Sequence, residues 1–121
     1  MERFYAAFNA RDFPAILAEM HPDIEFQSRF AQAGGAVYHG HEGVRGWLED
    51  LGQAWERLEV ELEQTFESRA DATVALVTLH GKGRVSGLEI HEPAAHDLRW
   101  RDGKVARLAY TDREAVERRA E

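Results

Sequence analysis

The sequence predicts an α+β fold, a cone-shaped curved antiparallel sheet covered on one face by N-terminal helices. Three observations lead there. Three amphipathic segments with helical spacing lie in the chain up to Trp55, with one short strand and a loop between the second and the third. From Leu58 to Thr111 the pattern changes to β-branched residues and strict alternation. Turn signals at Ser86-Gly87 and Asp102-Gly103 join neighbouring strands as hairpins, which makes that run antiparallel. A strongly curved sheet under helices encloses a cone, and a cone that its side chains do not fill is a pocket.

The segment from Met1 to Ala10 is rich in helix formers, and Phe4, Tyr5 and Phe8 share one stripe of it. Asp12 has the chemistry of a helix cap, and Pro14 is tolerated in the first turn that follows. Phe13, Ile16, Leu17 and Met20 then recur at helical spacing. His21-Pro22-Asp23 stops this second helix, because a residue before proline is pushed out of the helical region. Ile24 and Phe26 flank Glu25 in strand alternation, and Gln27 to Tyr38, with Gly34-Gly35, is expected as a loop or flap. Gly40-His41-Glu42-Gly43 opens a third helix whose apolar stripe is Val44, Trp47, Leu48, Leu51 and Trp55.

Leu58, Val60 and Leu62 alternate with Glu59, Glu61 and Glu63, so one face of that strand is core and the other a solvated acidic row. Arg99, Arg101 and Arg107 are expected across from the row as cross-strand partners. Ser68 to Ala72 is a turn. Thr73 to Val85 and Leu88 to Arg101 are long strands, and Lys104 to Thr111 is the last. Asp112 caps a short charged helix.

Composition narrows the function. The 121 residues suit one domain, residues 1–121, with no repeat or linker. Hydrophobic residues make up 44% and charged residues 31%, a balance that sustains a core. The absence of Cys removes disulfides, thiolate metal sites and thiol nucleophiles. A net charge of −7 repels phosphate backbones, so no nucleic acid is expected as partner. No apolar run reaches membrane-spanning length and no signal peptide opens the chain, so no membrane is expected and a reducing cytoplasm is the expected compartment.

Several stretches together resemble a known family. They are Phe4-Tyr5-Ala6-Ala7-Phe8-Asn9-Ala10-Arg11-Asp12, His21-Pro22-Asp23-Ile24-Glu25-Phe26, Tyr38-His39-Gly40-His41-Glu42-Gly43-Val44, Ser86-Gly87, Ala95-His96, Trp100-Arg101-Asp102-Gly103-Lys104-Val105 and Tyr110-Thr111-Asp112-Arg113. In that order they resemble the SnoaL-like branch of the nuclear transport factor 2-like superfamily. The resemblance implies a cystatin-like α+β barrel, commonly a homodimer through the outer sheet face, with no cofactor. It leaves the chemistry open, since the fold hosts isomerases, cyclases, dehydratases, epoxide hydrolases and binders. The ketosteroid isomerase set falls on Phe4, Ser28 and His96, all changed from the residues that mechanism uses. The epoxide hydrolase acids fall on stretches without an acid. The polyketide cyclase pattern places its histidine at His96 and its acid at Tyr110, or Ala109.

His96 is therefore the leading site residue, on the inward phase shared by Leu98 and Trp100. It serves either as an acid/base group or as a core histidine held by one hydrogen bond. Tyr110 is the second catalytic candidate, a donor to a developing oxyanion or a large core residue. Tyr5, Phe8, Phe26, Trp47, Leu51, Trp55, Leu98 and Trp100 are expected to line the pocket, which would favour a flat, apolar, ring-containing small molecule. His80 depends on the turn: a two-residue turn at Ser86-Gly87 pairs His96 with Val77 and sends His80 outward, and one extra residue reverses this. Two inward histidines would resemble a dehydratase site. His39-x-His41 lies in a loop without a carboxylate cluster, so no metal is expected. The reading is a binder of a small apolar molecule, with isomerase, cyclase or dehydratase chemistry on a carbonyl or polycyclic compound. The alternatives are binding without turnover and a dimerisation module.

Overall fold

The structure is a computed structural model that describes residues 2–27, 37–111 and 113–120. Ten elements follow in order: α1 (Glu2–Asn9), α2 (Phe13–Ala18), β1 (Met20–Gln27), β2 (Val37–His39), α3 (Gly40–Ala54), β3 (Trp55–Arg69), β4 (Ala72–Gly83), β5 (Glu89–Arg101), β6 (Lys104–Thr111) and α4 (Arg113–Ala120). The strands form one curved, unclosed sheet of six in the order β2-β1-β6-β5-β4-β3. Every neighbouring pair is antiparallel except β1 and β6, which run parallel. That pair is joined across most of the sequence, a juxtaposition no hairpin signal announces.

The local signals act as the residue chemistry requires. The Asp12 carboxylate accepts from the Ala15 amide at 3.2 Å and caps α2, with Pro14 in its first turn. Asp102 and Gly103 both sit at positive φ, 55° and 75°, the signature of a type I′ hairpin turn that matches strand twist. The main core lies between the inner sheet face and α1, α2 and α3. Leu58, Val60, Ala75, Val77, Leu79, Ala94 and Leu98 are buried there, every second residue of three adjacent strands.

Several expectations need correction. At the two ends of the region expected as a loop, Gln27 ends β1 and Val37–His39 is a strand on β1, pairing Phe26 with Tyr38. Residues 28–36 lie outside the described residues, as does the expected cap Asp112. Trp55 does not end the α3 stripe; it opens β3 and packs on Gly81, whose backbone has no side chain to keep the indole away. The arginines of β5 and β6 do not face the acidic row, because β4 stands between β3 and them. Glu61 pairs instead with His80, and Glu63 with Thr78 and Arg113. Arg101 turns to His21 and Asp23, and Arg107 to Glu25.

The outer face carries a second, smaller apolar cluster. Leu76 and Ala95 are buried beneath Val116 of α4, with Phe66 and Val74 alongside. Arg113 pins that helix, donating to Glu63 at 2.6 Å and to the Val77 carbonyl at 2.7 Å.

Candidate functional site

A narrow cavity of about 50 Å³ opens between α1 and the inner sheet face. That is several times what one water needs, so the cone is neither packed solid nor wide. Phe4, Tyr5 and Phe8 of α1 form its roof, Leu58, Val60 and Leu79 one wall, and Phe26, Trp47 and Leu108 another. The Phe26 and Trp47 rings meet with centroids 4.3 Å apart. No Asp, Glu, Lys or Arg lines it among the described residues; its polar members are Tyr5, Gln27, His96 and the indole of Trp47.

His96 of β5 and Tyr5 of α1 form the polar centre. The Tyr5 hydroxyl and His96 Nδ1 are 2.8 Å apart, and the two rings lie within 9° of parallel. Ninety-one residues separate them in the chain. Two features bring them together. Strand parity aims His96 inward with Leu98. Asn9, at the end of α1, clamps the helix on β3: its side chain accepts from the Val60 amide at 2.8 Å and donates to the Val60 carbonyl at 2.9 Å. Burial makes the charged forms costly on both sides of the pair. It pulls the His96 imidazole down from the usual 6.5 to about 4 and pushes the Tyr5 phenol above its ordinary range. At neutral pH both groups are uncharged.

The other sequence candidates divide. Phe8, Phe26 and Trp47 join Tyr5 and His96 in the cavity wall. Leu51, Trp55, Leu98 and Trp100 lie outside it: Leu98 is sealed in the core, and Trp100 donates its indole N–H to Thr73 at 3.0 Å. Tyr110 pairs directly with His96 across β5 and β6 and packs on the core, but it borders a surface groove with Arg113 and Glu117 rather than the cavity. Ser28 lies outside the described residues. Phe4, Ile16, Met20, Gln27, Leu58, Val60, Leu79 and Leu108 also line the cavity and were not among the residues expected there; nor was Asn9 expected near it, since its role depends on a strand far away in the chain. Phe4 and Tyr5 both reach the cavity, and it is Tyr5 that carries the hydroxyl to His96.

The β4–β5 register pairs His96 with Ala75, not Val77, because the connection runs from Arg84 to Leu88. The slip is two residues, an even number, so every side chain keeps its face. His80 points outward, where its Nε2–H donates to Glu61 at 2.8 Å and its Nδ1 meets His91 Nδ1 at 2.7 Å. His41 is engaged in the fold, its Nε2–H donating to the Met20 carbonyl at 3.0 Å.

The model of the SnoaL-like domain matches residues 1–108. The chain belongs to the SnoaL-like domain family. No curated protein matches the sequence. Among solved structures, this SnoaL-like chain is similar to an NTF2-like protein of unknown function from Burkholderia pseudomallei, with a TM-score of 0.82, 22% identity and coverage of 98% of this chain and 91% of that one. It is similar to TerC, crystallised with polyporic acid, at a TM-score of 0.81, 24% identity and coverage of 98% and 92%. A candidate polyketide cyclase from Pseudomonas putida gives 0.79, 22%, and coverage of 92% and 86%. At these identities the likeness establishes the fold that the SnoaL-like domain shares with them, and their chemistry is their own.

Proposed function

We propose that this SnoaL-like domain holds a small apolar, ring-containing molecule in the α1–sheet cavity, with His96 as its polar anchor. The observation that carries this reading is the Tyr5–His96 pair, a hydrogen-bonded polar centre inside a wall otherwise built of aromatic and aliphatic side chains. That one structural relative was crystallised with polyporic acid, and another is a candidate polyketide cyclase, supports a small-molecule ligand. The present cavity is narrow, so a ring enters only as side chains of its wall give way. Where turnover occurs, the chemistry is isomerase-, cyclase- or dehydratase-like proton movement on a carbonyl or polycyclic compound, with no cofactor invoked. Tyr110 enters this reading only as the residue across from His96 in register.

The second reading is binding without turnover. It is favoured by the wall itself, which offers no carboxylate among the described residues, and by a His96 whose low pKa makes it a poor base at pH 7. Trp47 lines the cavity, so titration with bicyclic apolar compounds should alter tryptophan emission, and Trp47→Phe should remove most of that change. If no such compound binds at millimolar concentration, the cavity is not a ligand site. A pH–rate profile on any compound that is turned over would separate the two readings.

A further inference from the structure

The direction of the Tyr5–His96 hydrogen bond has a consequence for what the cavity can hold, provided that the cavity is a ligand site as proposed above. We propose that Tyr5 donates its O–H to His96 Nδ1, that this fixes the neutral imidazole with its proton on Nε2, and that the ligand is an uncharged molecule presenting a carbonyl oxygen to that N–H. His96 is then a hydrogen-bond donor to the ligand, and Tyr5 is a positioning residue that acts through it.

Counting donors and acceptors decides the direction. If Nδ1–H donated to the phenol oxygen, the Tyr5 O–H would need a second acceptor and Nε2 would present a bare lone pair. No described residue lies within hydrogen-bonding distance of the Tyr5 hydroxyl except His96, and none reaches Nε2. Two groups of the pair would then lack a partner among the described residues. With Tyr5 as donor, the O–H and Nδ1 satisfy each other and, of this pair, only Nε2–H is left over among the described residues, the arrangement with fewer unmet groups; the Trp47 Nε1–H, buried in the same cavity wall without a partner among them, is a second donor open to a ligand oxygen. Burial works in the same sense, keeping the phenol protonated and the imidazole neutral.

The wall then selects the partner. The remaining N–H needs an acceptor. The wall offers no cation to offset a carboxylate or phosphate brought in from water, so a charged ligand would be poorly compensated there. A ketone, quinone or ester carbonyl on an apolar ring meets the donor without that cost. A neutral imidazole in this position also strengthens its hydrogen bond as a carbonyl gains enolate character, which is electrostatic assistance without proton transfer to the histidine.

The test begins without a ligand. In the full ¹⁵N-labelled chain at pH 7, long-range ¹H–¹⁵N correlation should show His96 with a protonated Nε2 and an unprotonated Nδ1; its spin system is the one lost in His96→Phe. An Nδ1–H tautomer overturns the proposal. Tyr5→Phe, checked for native circular dichroism, should release the lock and give a mixed tautomer pattern. An unchanged His96 pattern in that variant also overturns it, and if the variant fails to fold, the wild-type spectrum alone decides. For the ligand, 1-tetralone and its oxygen-free counterpart tetralin serve as probes. The ketone should bind about threefold to tenfold tighter, and His96→Phe should abolish the difference. Equal binding to the wild type overturns the carbonyl assignment. Binding of neither overturns the ligand-site reading itself, and the spectrum still judges the tautomer.

Discussion

At the scale of single residues, His96 carries both a chemical and a thermodynamic signature. Its flanking positions on the neighbouring strands are Ala75 and Tyr110, and Tyr5 covers it from α1. With none of these offering a negative charge, burial is unopposed and the imidazole falls to about 4 in the folded chain. The unfolded chain takes up this proton near pH 6.5, and the folded chain does not do so until about pH 4. Stability from this group is therefore fully present above pH 6.5 and declines as the pH falls toward 4, by on the order of 3 kcal/mol. His96→Phe keeps much of the ring and removes the titration. Chemical denaturation at pH 7 and pH 4.5 should show a smaller loss on acidification in the variant than in the wild type. Parallel acid profiles would mean that His96 titrates normally.

At the scale of elements, two contacts set the site. Asn9 ties the last turn of α1 to Val60 through paired hydrogen bonds at the partly exposed edge of the roof. Asn9→Ala should cost about 1–2 kcal/mol in urea denaturation and should also broaden or shift the His96 ring signals, because the helix that carries Tyr5 loses its anchor. If stability falls and the His96 signals do not move, the packing of Phe4 and Phe8 is enough to hold the helix. At the other end of the sheet, a side-chain carbon on Gly81 would meet the Trp55 ring at 2.9 Å and Leu58 at 3.1 Å. Gly81→Ala should lower stability by about 1–3 kcal/mol through overpacking, and adding Trp55→Leu should recover part of it. An additive double variant would show that the indole is not what limits the space.

For the whole molecule, the open question is assembly. A homodimer through the outer sheet face is what the resemblance implies, and an apolar seam there would draw on strand residues such as Val74, Leu76 and Val105. Val105 is in the inner core, and Leu76 is covered within the chain by Val116 of α4, with Val74 beside it. What that face leaves open around β3 to β5 is largely polar, including Glu61, His80 and His91, with Pro93 and parts of Phe66 and Val74 beside them. A homodimer there would be held by hydrogen bonds and ion pairs, so it should weaken as salt rises. Sedimentation at tens of micromolar and low ionic strength should give a dimeric mass that shifts toward the monomer in high salt. A monomeric mass at low salt ends the expectation.

Local chemistry was legible in the sequence wherever one element's own periodicity or turn residues decide the outcome. The Asp102-Gly103 turn needs only two residues that tolerate positive φ. The α3 stripe of Val44, Trp47, Leu48 and Leu51 needs only helical spacing, and the inward face of His96 needs only strand parity. Parity even survived a wrong register, since the slip from Val77 to Ala75 is an even step. What lay beyond the sequence were contacts between residues distant in the chain. The parallel seam of β1 and β6, the clamp of Asn9 on Val60 and the meeting of Tyr5 with His96 leave no periodic trace. Parity says which face a side chain takes, but only the closing of the helices over the sheet decides which side chain waits there. That is why the inward face of His96 could be read from the sequence, while its hydrogen-bond partner Tyr5 came from the tertiary structure.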